Sequence, residues 1–522
     1  MPIRSQNFIP IMYYSYKVFS TLLALIYIVF QNTLFAQFGK NGVETILVPS
    51  VILNQYTTLQ INVAAGANTI ILSNVTDLNN PNPIEIGDLL LIMQMQGTSI
   101  SNNNSPQYGE IINYNGAGNY EFAYVRSIAG NTITLSCPLQ QSYTTTGRTQ
   151  VVRVPQYQKL IVIAGSTITA PAWNGSVGGV VAIYADTLQL DGQIDVSSLG
   201  FRGGVLDNSA ANNQANYLST AANAGAEKGE SIAGFQSEYT ALGGRFGRGA
   251  PANGGGGGNG NNGGGGGGAN GGLPAAWFRG AGVMCSTCNG SAAWTLDPDY
   301  IANGNTLTNS SGGGKGGYTT STSNRDALLV APDNALWGSD RRRPHGGLGG
   351  RPLESNPENR IFFGGGGGAG DQNNNSGGRG GNGGGIVLLT SNHILGNGTI
   401  QASGENGQNT RNTHNDGAGG GGGGGSVIVK ADVEVSNIAI YAQGGNGGNQ
   451  LITSNQANGT GGGGGGGLIA VFSANDNSTK NVNGGENGTT TSNALTEFPA
   501  NGATSGSSGT IITESTPNFI LA

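Results

Sequence analysis

The acidic residues that could support the cleavage of a glycan occur in two small groups. Asp186, Asp191 and Asp195 lie around a predicted turn, and Asp432 and Glu434 alternate along a predicted strand. Glycosidases use a pair of carboxylates, one as general acid and the other as base or nucleophile. Carboxylates around a turn or along one strand face are equally typical of turn capping and solvation. We therefore predict no catalytic residues.

Other catalytic or metal chemistry has little support in the sequence. The chain holds three histidines, His345, His393 and His414. It has no G-x-S-x-G or H-E-x-x-H motif. Calcium-binding β repeats place an aspartate in every nonapeptide, whereas Asp371 and Asp416 are isolated. The sequence thus predicts a protein that is not an enzyme, with no cofactor and no metal site.

Cys285 and Cys288 form a C-x-x-C motif inside a glycine-rich stretch. A zinc site would need two further ligands, and the nearest histidine, His345, is far along the chain. A redox role would need a βαβ setting, which the surrounding sequence does not have. We therefore expect a small local disulfide that stiffens the loop.

Aromatic and basic residues gather in the same stretch, between residues 205 and 380. Such side chains dominate binding hot spots and can stack on sugar rings. The candidate ligand-binding residues are Trp277, Phe278, Arg279, Trp294, Trp337, Arg341, Arg342 and Arg343. The alternative is a local core for the aromatic residues and an exposed turn before Pro344 for the arginines. Insertions of this length are usually functional or disordered.

Runs of glycine precede short apolar segments at a regular spacing. Seven glycines at 419–425 lead into Ser426-Val427-Ile428-Val429, and seven more at 461–467 lead into Leu468-Ile469-Ala470-Val471-Phe472. An earlier copy places Gly383-Gly384-Gly385 before Ile386, and the spacing from Ile386 to Val427 equals that from Val427 to Leu468. A constant period of this kind, about 41 residues, predicts stacked repeats that bury their apolar faces on one another.

Each repeat contains a second apolar segment after a tight turn. Ile400 follows Ile386 at the same offset at which Ile194 follows Val180, which indicates an outlying first copy upstream. Asp191-Gly192 and Asn397-Gly398 precede the second segment, and such pairs supply the positive φ of tight β turns. The unit is predicted to be a strand, a corner and a strand, followed by an excursion of glycine and asparagine.

Ordered glycine runs need dense contacts, because glycine loses about 0.5–1 kcal/mol more than alanine when its backbone is fixed. The extended helix with three residues per turn has no internal hydrogen bonds. Without side chains, several such helices can approach closely and bond to one another through their backbones. Flexible linkers are the alternative, but the constant period passes through the runs. We predict an ordered layer of polyglycine II segments beside the strands.

The chain is predicted to be all-β. Residues 38 to about 160 have no long glycine run and show β alternation, which indicates a small β-barrel or sandwich domain. A β-solenoid-like region with packed polyglycine II segments follows. The predicted divisions are a signal peptide at 1–36, the small β domain at 37–165, a first repeat unit at 166–204, the insertion at 205–380 and the repeats at 381–522.

The N-terminus has the features of a targeting segment. Arg4 and Lys17 precede an almost wholly apolar run over 18–30, and Ala36 offers a small residue for cleavage. Translation from Met12 is an alternative start, and an uncleaved anchor helix is the alternative role. We expect a secreted or cell-surface protein without an integral membrane part after cleavage. Only 10% of residues are charged and the net charge is −6, which argues against a nucleic-acid partner.

The glycine runs before short apolar strands resemble those of glycine-rich secreted bacterial surface proteins. More distantly, they resemble the polyglycine-helix adhesins of phage tail tips. The resemblance covers roughly 175–205 and 380–512, and it implies binding or structural work at a cell surface rather than catalysis. The expected partner is a cell-surface glycan or protein, and self-association is a further option. A polysaccharide-active β-helix enzyme and a structural filament or matrix subunit are the alternatives.

Overall fold

The computed structural model describes residues 39–105, 107–207, 216–260, 262–270, 312–317, 346–347, 349–350, 353, 355–411, 416–452, 457–493 and 499–514. Its strands are β1 (Val43–Ile46), β2 (Val51–Ile52), β3 (Gln55–Thr58), β4 (Thr69–Ile71), β5 (Leu89–Gln94), β6 (Ser99–Ile100), β7 (Ile111–Asn113), β8 (Tyr120–Ala129), β9 (Thr132–Leu135), β10 (Thr149–Val154), β11 (Gln156–Val162), β12 (Thr167–Thr169), β13 (Val180–Leu190), β14 (Gln193–Asp195), β15 (Ile386–Leu395), β16 (Thr399–Gln401), β17 (Ser426–Val435), β18 (Ala439–Tyr441), β19 (Leu468–Asp476), β20 (Thr479–Asn481) and β21 (Thr510–Glu514). The described helices are short: α1 (Gln236–Ala241) and two 3₁₀ turns, Val75–Leu78 and Ala222–Ala224.

Two parallel sheets form the solenoid. The long sheet has the order β1-β11-β13-β15-β17-β19-β21, and the short sheet has the order β2-β12-β14-β16-β18-β20. Alternate apolar residues of the long strands, such as Val387, Val427 and Ile469, pack between the two sheets with the apolar residues of the short strands. The fold is therefore mostly β, with stacked parallel sheets of the solenoid type, as the sequence predicts.

An antiparallel half-barrel lies before and beside the solenoid. Its sheet has the order β3-β10-β5-β8-β9-β4, and the hairpin β6–β7 lies next to it. Leu89, Leu91 and Met93 of β5 pack in the same cluster as Val180 and Ile386 on the other face of the long sheet. From residue 39 onward, the chain forms β1 and β2 in the solenoid, leaves it for the half-barrel and returns at β11. The region expected at 37–165 therefore contributes strands to both parts.

The outlying first copy pairs with the later repeats in the predicted register. Val180 lies opposite Ile386 in the long sheet, and Ile194 lies opposite Ile400 in the short sheet. The insertion between these copies interrupts the chain without interrupting either sheet. A strand, a corner and a strand thus form each coil.

The period of the later repeats is not constant at the start of the long strands. Val387 pairs with Val427, and Val427 pairs with Ile469, so the first of these coils is shorter than the second. The sequence alignment of Ile386 with Val427 is wrong by one residue. A shift of one residue would exchange the two faces of the strand, and Ile386 and Val427 do face different cores.

Asp191-Gly192 and Asn397-Gly398 lie at the corners between strands, as predicted, but the predicted reason, a positive φ, is wrong. Gly192 and Gly398 do not have a positive φ, which occurs instead at Gly396, with φ 113°. A Cβ atom on Gly192 would overlap the carbonyl oxygens of the preceding coil, and one on Gly398 would overlap the carbonyl oxygen of Gly192. Close stacking of successive corners therefore requires glycine at these two positions.

The glycine runs form an ordered layer beside the sheets. The backbone N–H groups of 417–425 donate in a cycle of three residues: one set bonds to 402–408, the next to 365–371 and the third to 459–465. The carbonyl groups of 417–423 accept from three other passes of the chain, and that of Gly425 accepts from Leu468 at the start of β19. The carbonyl of Gly424 is the one that accepts its hydrogen bond from a side chain, the amide of Asn270 at 2.7 Å. Every backbone polar group from Gly417 to Gly425 therefore has a partner.

Parts of the insertion complete this layer. Gly255 and Gly258 donate to the pass 366–369, and Gly265 and Gly268 donate to the pass 418–421. The runs at 263–268 and 364–368 are thus neighbours of the repeat glycines, and the run at 254–258 lies against these two runs in turn. The insertion belongs to the layer at both of its described ends.

One row of the layer changes from glycine to serine at the last coil. Gly384, Gly424 and Gly466 occupy equivalent places, and a Cβ atom on any of them would overlap a carbonyl oxygen of a neighbouring tract. Ser508 holds the corresponding place before β21, where its side chain is exposed. The serine side chain would overlap a further tract packed in the same way.

A buried carboxylate joins the half-barrel to the solenoid. Glu230 is 1% exposed and accepts hydrogen bonds from Arg202, from the Trp173 indole at 3.0 Å and from the Gln96 amide at 3.0 Å. Gln96 follows strand β5 of the half-barrel, whereas Trp173 precedes β13 and Arg202 follows β14 in the solenoid. Because Arg202 neutralises the charge and the other partners donate hydrogen bonds, the free-energy cost of burying the carboxylate is offset.

Two buried aspartates hold the turns at one edge of the layer. Asp416 accepts from the backbone N–H groups of Asn373 and Ser376, and Asp371 accepts from that of Asn262 at 2.8 Å. The two residues that are isolated in the sequence therefore lie near each other. Burial, together with the charge of Asp416, raises the pKa of Asp371 to about 7.

A methyl group inside the layer should be far more harmful than one at its end. We predict that Gly424→Ala lowers the free energy of unfolding by about 1–3 kcal/mol or more, because the added Cβ overlaps the Ala442 carbonyl. Ser508→Ala, at the equivalent exposed position, is the matched control and should change stability by less than about 0.5 kcal/mol. Urea denaturation measures both. Equal effects of the two substitutions would contradict the packed layer.

Asp371 should make stability fall as pH rises. Its pKa is higher in the folded protein than the ordinary 3.8, so the folded state holds the proton more tightly and loses stability from about pH 4 to about 7. Asp371→Asn keeps an oxygen for the Asn262 N–H group and removes this titration. We expect the variant to gain stability over the parent between these pH values, as measured by denaturation at a series of pH values. A constant difference across that range would rule out the titration of Asp371.

Candidate functional site

A polar groove of about 600 Å³ crosses the outer face of the glycine layer. It runs over successive passes of the chain that follow β16, β18 and β20, and it reaches the last glycine pass. The lining residues are Ser403, Gly404, Asn406, Gln443, Gly444, Asn446, Asn483, Gly484, Glu486, Ser505, Gly506 and Ser508. The lining is made of amides, hydroxyls, one carboxylate and glycine backbone.

The three-residue cycle of the layer places these side chains on one face. In each pass, residues three apart point outward, and the residues between them face the neighbouring passes. Stacking of the coils then aligns the passes into two columns. The first column is Ser403, Gln443 and Asn483, and the second is Asn406, Asn446 and Glu486. Neighbouring members of a column lie about 4.8 Å apart, and the columns lie about 9 Å apart.

Asparagine side chains connect successive coils along the second column. The Oδ1 atom of Asn406 accepts from the backbone N–H of Asn446 at 2.7 Å, and the Oδ1 atom of Asn446 accepts from that of Glu486 at 2.8 Å. A backbone N–H can only donate, so the acceptor atom of each amide is fixed. The NH₂ groups of both asparagines are consequently the free ends, and both residues are exposed.

A second ladder of the same kind runs beside the groove. Asn409 accepts from the backbone N–H of Asn449 at 2.7 Å, and Asn449 accepts from that of Thr489 at 2.8 Å. These residues lie three positions beyond the second column and do not line the groove. Because the same hydrogen bonds form where there is no groove, those of Asn406 and Asn446 connect successive coils whether or not a ligand is bound.

The floor of the groove belongs to the packed layer. A Cβ atom on Gly404 or Gly444 would overlap a carbonyl oxygen of the neighbouring glycine pass. The columns therefore have mostly glycine backbone between them. The exception is Glu405, whose carboxylate is paired with Arg379 and does not line the groove. The groove is a direct consequence of the layer beneath it.

The charge of the groove is weakly negative. Glu486 is its charged lining residue, and no lysine, arginine or histidine lines it. Beside it, the Glu405 carboxylate is engaged in an ion pair with Arg379. A lone carboxylate offers no second group for paired acid–base chemistry. The arrangement can donate and accept hydrogen bonds over an extended surface.

The carboxylates considered from the sequence lie elsewhere. Asp191 accepts from the Gln189 side chain at 2.8 Å, and Asp195 accepts from the backbone N–H of Ser197 at 2.8 Å, as expected for residues at a turn. Asp186 accepts from the Asn392 amide at 2.7 Å. Asp432 is exposed.

His393 and Glu434 form a second polar pair on the long sheet. The Nδ1 atom of His393 lies 2.9 Å from the Glu434 carboxylate, and both side chains are partly exposed. Their strands pair at this point beside an irregularity in register. Tyr184, one coil earlier, is buried, and its pKa is raised by burial and by the nearby Tyr124. This pair is separate from the groove.

The predicted ligand-binding residues lie outside the described residues. They are Trp277, Phe278, Arg279, Trp294, Trp337, Arg341, Arg342 and Arg343, and the same holds for Cys285 and Cys288 of the expected disulfide. Cys137 is described and is an exposed free thiol. The columns of the groove were not identified from the sequence. The sequence signal for the second column is the repeated Asn-Gly pairs at 406–407 and 446–447. The third pair, at 487–488, is out of step by one residue, because the column continues at Glu486.

Within the described ranges, no three histidine, cysteine, aspartate or glutamate side chains come together in a way that could hold a metal ion. In the same part of the chain, no helix has the length and apolar character needed to span a bilayer. The expected signal peptide at 1–36 lies outside the described residues.

Comparison with known proteins gives one distant structural similarity. No family model matches the chain, and no curated protein matches it. Among solved structures, the chain is similar to the tailspike protein gp49 from Pseudomonas phage LKA1, with 19% sequence identity and a TM-score of 0.13. The match covers 28% of this chain and 25% of the tailspike chain. It thus spans about a quarter of the tailspike protein.

The asparagine ladder should contribute measurably to stability. We predict that Asn446→Ala lowers the free energy of unfolding by about 1 kcal/mol, because the backbone N–H of Glu486 loses its acceptor. Asn446→Asp keeps an acceptor oxygen at this place and should retain more of the stability at neutral pH. Thermal melting of the two variants measures the difference. Equal melting temperatures would mean that this hydrogen bond contributes nothing.

Proposed function

We propose that the protein is a secreted, non-catalytic binding protein of a cell surface or extracellular matrix. Its solenoid presents the groove to a polyhydroxylated ligand, with a cell-surface glycan as the best match. The observation that carries the proposal is the row of amide groups whose free NH₂ ends face solvent in fixed positions. Hydrogen-bond donors that are already fixed on a rigid surface lose little conformational entropy when a ligand binds.

A binding role accounts for the chemistry of the groove better than a polysaccharide-active enzyme does. The groove has one carboxylate, Glu486, whereas glycosidases need two that act together. Asp186 is engaged with Asn392, and Glu434 is engaged with His393 outside the groove. An assay for new reducing ends during incubation with a bound polysaccharide separates the two functions, and we expect none.

The structural filament is the other alternative, and Ser508 argues against growth by continued stacking of the layer. In earlier coils this place is glycine, and a side chain there would overlap the next tract. A filament that extended the glycine layer from this end would need glycine at 508. Light scattering over a range of concentrations distinguishes a monomeric binding protein from a filament subunit.

We also assign the glycine tracts to polyglycine II helices. The support is the three-residue cycle of hydrogen bonds at 417–425, which matches three residues per turn with no bonds inside the segment. Six neighbouring passes surround this tract, three as acceptors and three as donors. Glycine is required over 419–425 because each Cβ would meet the backbone of a neighbour.

The aromatic and arginine residues between 277 and 343 stay a predicted second binding surface. Export through the segment 1–36 likewise stays a prediction. Both are compatible with a protein whose described part is a scaffold with one polar groove.

Substitution in the groove should reduce binding without unfolding the protein. Among the described residues, the side chains of Gln443, Asn483 and Glu486 have no hydrogen-bond partner, so their truncation leaves the scaffold intact. We predict that the triple alanine variant of the full chain binds immobilised polysaccharides or whole cells at least roughly tenfold more weakly, from the loss of several hydrogen bonds. A glycan array followed by titration calorimetry measures the affinity.

The control is Gln193→Ala, which removes an exposed amide from the short sheet away from the groove. It should bind like the parent, and all variants should melt at the parent temperature. Unchanged binding by the triple variant would remove the groove from the proposal. Loss of binding after replacement of Trp337 and the three arginines at 341–343 would then transfer the function to the predicted second surface.

A further inference from the structure

We infer that the groove binds a single extended chain of uncharged sugars that lies along the axis of the coil stack, one sugar to each coil. This inference rests on the proposed function, and it names the class and orientation of the ligand. The groove crosses three successive coils and continues onto the last glycine pass. A ligand along the axis meets one polar residue of each column at every coil.

The spacing of the columns sets the repeat of the ligand. Successive coils of parallel strands lie about 4.8 Å apart, which is close to the length of one sugar ring in an extended glycan. Asn406, Asn446 and Glu486 are therefore in step with consecutive sugars. A ligand lying across the axis would meet the groove at about 9 Å intervals, the distance between the two columns.

The orientation of the amides defines the chemistry. Asn406 and Asn446 use their oxygens within the ladder, so they offer NH₂ donors to the ligand. Gln443 and Asn483 in the facing column can both donate and accept. Hydroxyl groups on both edges of a sugar chain satisfy these two columns together. An apolar ligand would leave them without partners.

The charge distribution excludes an acidic ligand. Glu486 lies at the end of the second column, and no basic residue lines the groove to offset its charge. The nearby Arg379 is already paired with Glu405. An acidic polysaccharide such as a uronate would bring like charges together without a compensating ion pair. Uncharged sugars avoid this cost and can donate hydroxyl hydrogen bonds to Glu486.

The absence of aromatic rings in the lining predicts a dependence on ligand length. Without stacking, each sugar contributes only its hydrogen bonds, so a monosaccharide should bind very weakly. Each added sugar up to the length of the groove should strengthen binding roughly three- to tenfold. Longer chains should gain nothing further. This steep rise and plateau are the signature of a ligand aligned with the coils.

Calorimetric titration of the full chain with oligosaccharides of increasing length tests the inference. The probes are cello-, chito- and manno-oligosaccharides from disaccharide to hexasaccharide, with oligogalacturonides of the same lengths as the acidic series. We expect at least one neutral series to show the rise and plateau, and the acidic series to bind more weakly than it. Tighter binding of the acidic series, or affinity that does not change with length, would overturn the inference.

A pair of matched variants assigns the effect to the groove. Asn446→Asp keeps the acceptor for the Glu486 N–H and replaces the NH₂ donor with a negatively charged oxygen. Asn449→Asp makes the same change in the ladder beside the groove, where Asn449 serves the Thr489 N–H. The first should weaken neutral oligosaccharide binding at least roughly tenfold, and the second should leave it unchanged. Equal effects of the two variants would overturn the assignment.

The inference and the proposed function fail in different ways. Binding of whole polysaccharides that is lost in the triple groove variant, but without binding of any neutral oligosaccharide, would overturn the inference and leave the proposed function standing. Absence of binding to every polysaccharide and cell surface tested would overturn both.

Discussion

Two main chains can hydrogen-bond side by side in the glycine layer only where no Cβ atom stands between them. At Gly424 and its equivalents, an added carbon would occupy the place of a carbonyl oxygen on a neighbouring tract. This steric limit explains the composition of the chain more directly than flexibility does. The entropy that each glycine loses, about 0.5–1 kcal/mol relative to alanine, is offset because both of its backbone polar groups find hydrogen-bond partners in a buried region.

The same limit decides where side chains can appear. Inside the layer almost every position is glycine, so chemistry is confined to its outer row, where every third residue faces solvent. The coil stack then copies each outer position into the next coil, and this produces columns of Asn406, Asn446 and Glu486. A surface of this kind is repetitive by construction. It suits ligands that are themselves repetitive, and it offers few ways to assemble the unlike groups that catalysis requires.

Much of the fold could be predicted because stacked coils require apolar segments that recur at a regular spacing in the sequence. The pairing of Val180 with Ile386 follows from one shared offset between two apolar segments. The register of the later coils could not be predicted as well, since irregularities within the long strands change the spacing between paired residues along each strand. Within a run of identical glycines, nothing in the sequence marks which residue faces which neighbour.

The groove could not be predicted from the sequence, because its residues belong to the repeated pattern that also forms the scaffold. Asn-Gly pairs are typical of turns, so in the repeats they predict only excursions between strands. Their second role, with an oxygen bound to the next coil and an amide turned outward, depends on contacts between residues 40 positions apart. The aromatic residues at 277–337 stood out in the sequence, whereas the groove residues are ordinary individually and acquire a function only as columns.

The near-identity of the joints between coils has an evolutionary consequence. Because β15, β17 and β19 each pair in parallel with the next long strand, a duplicated segment of the gene spanning one coil would find a parallel strand on both of its sides. Chains of this type can therefore lengthen by internal duplication, and natural variants are expected to differ in reach by whole coils.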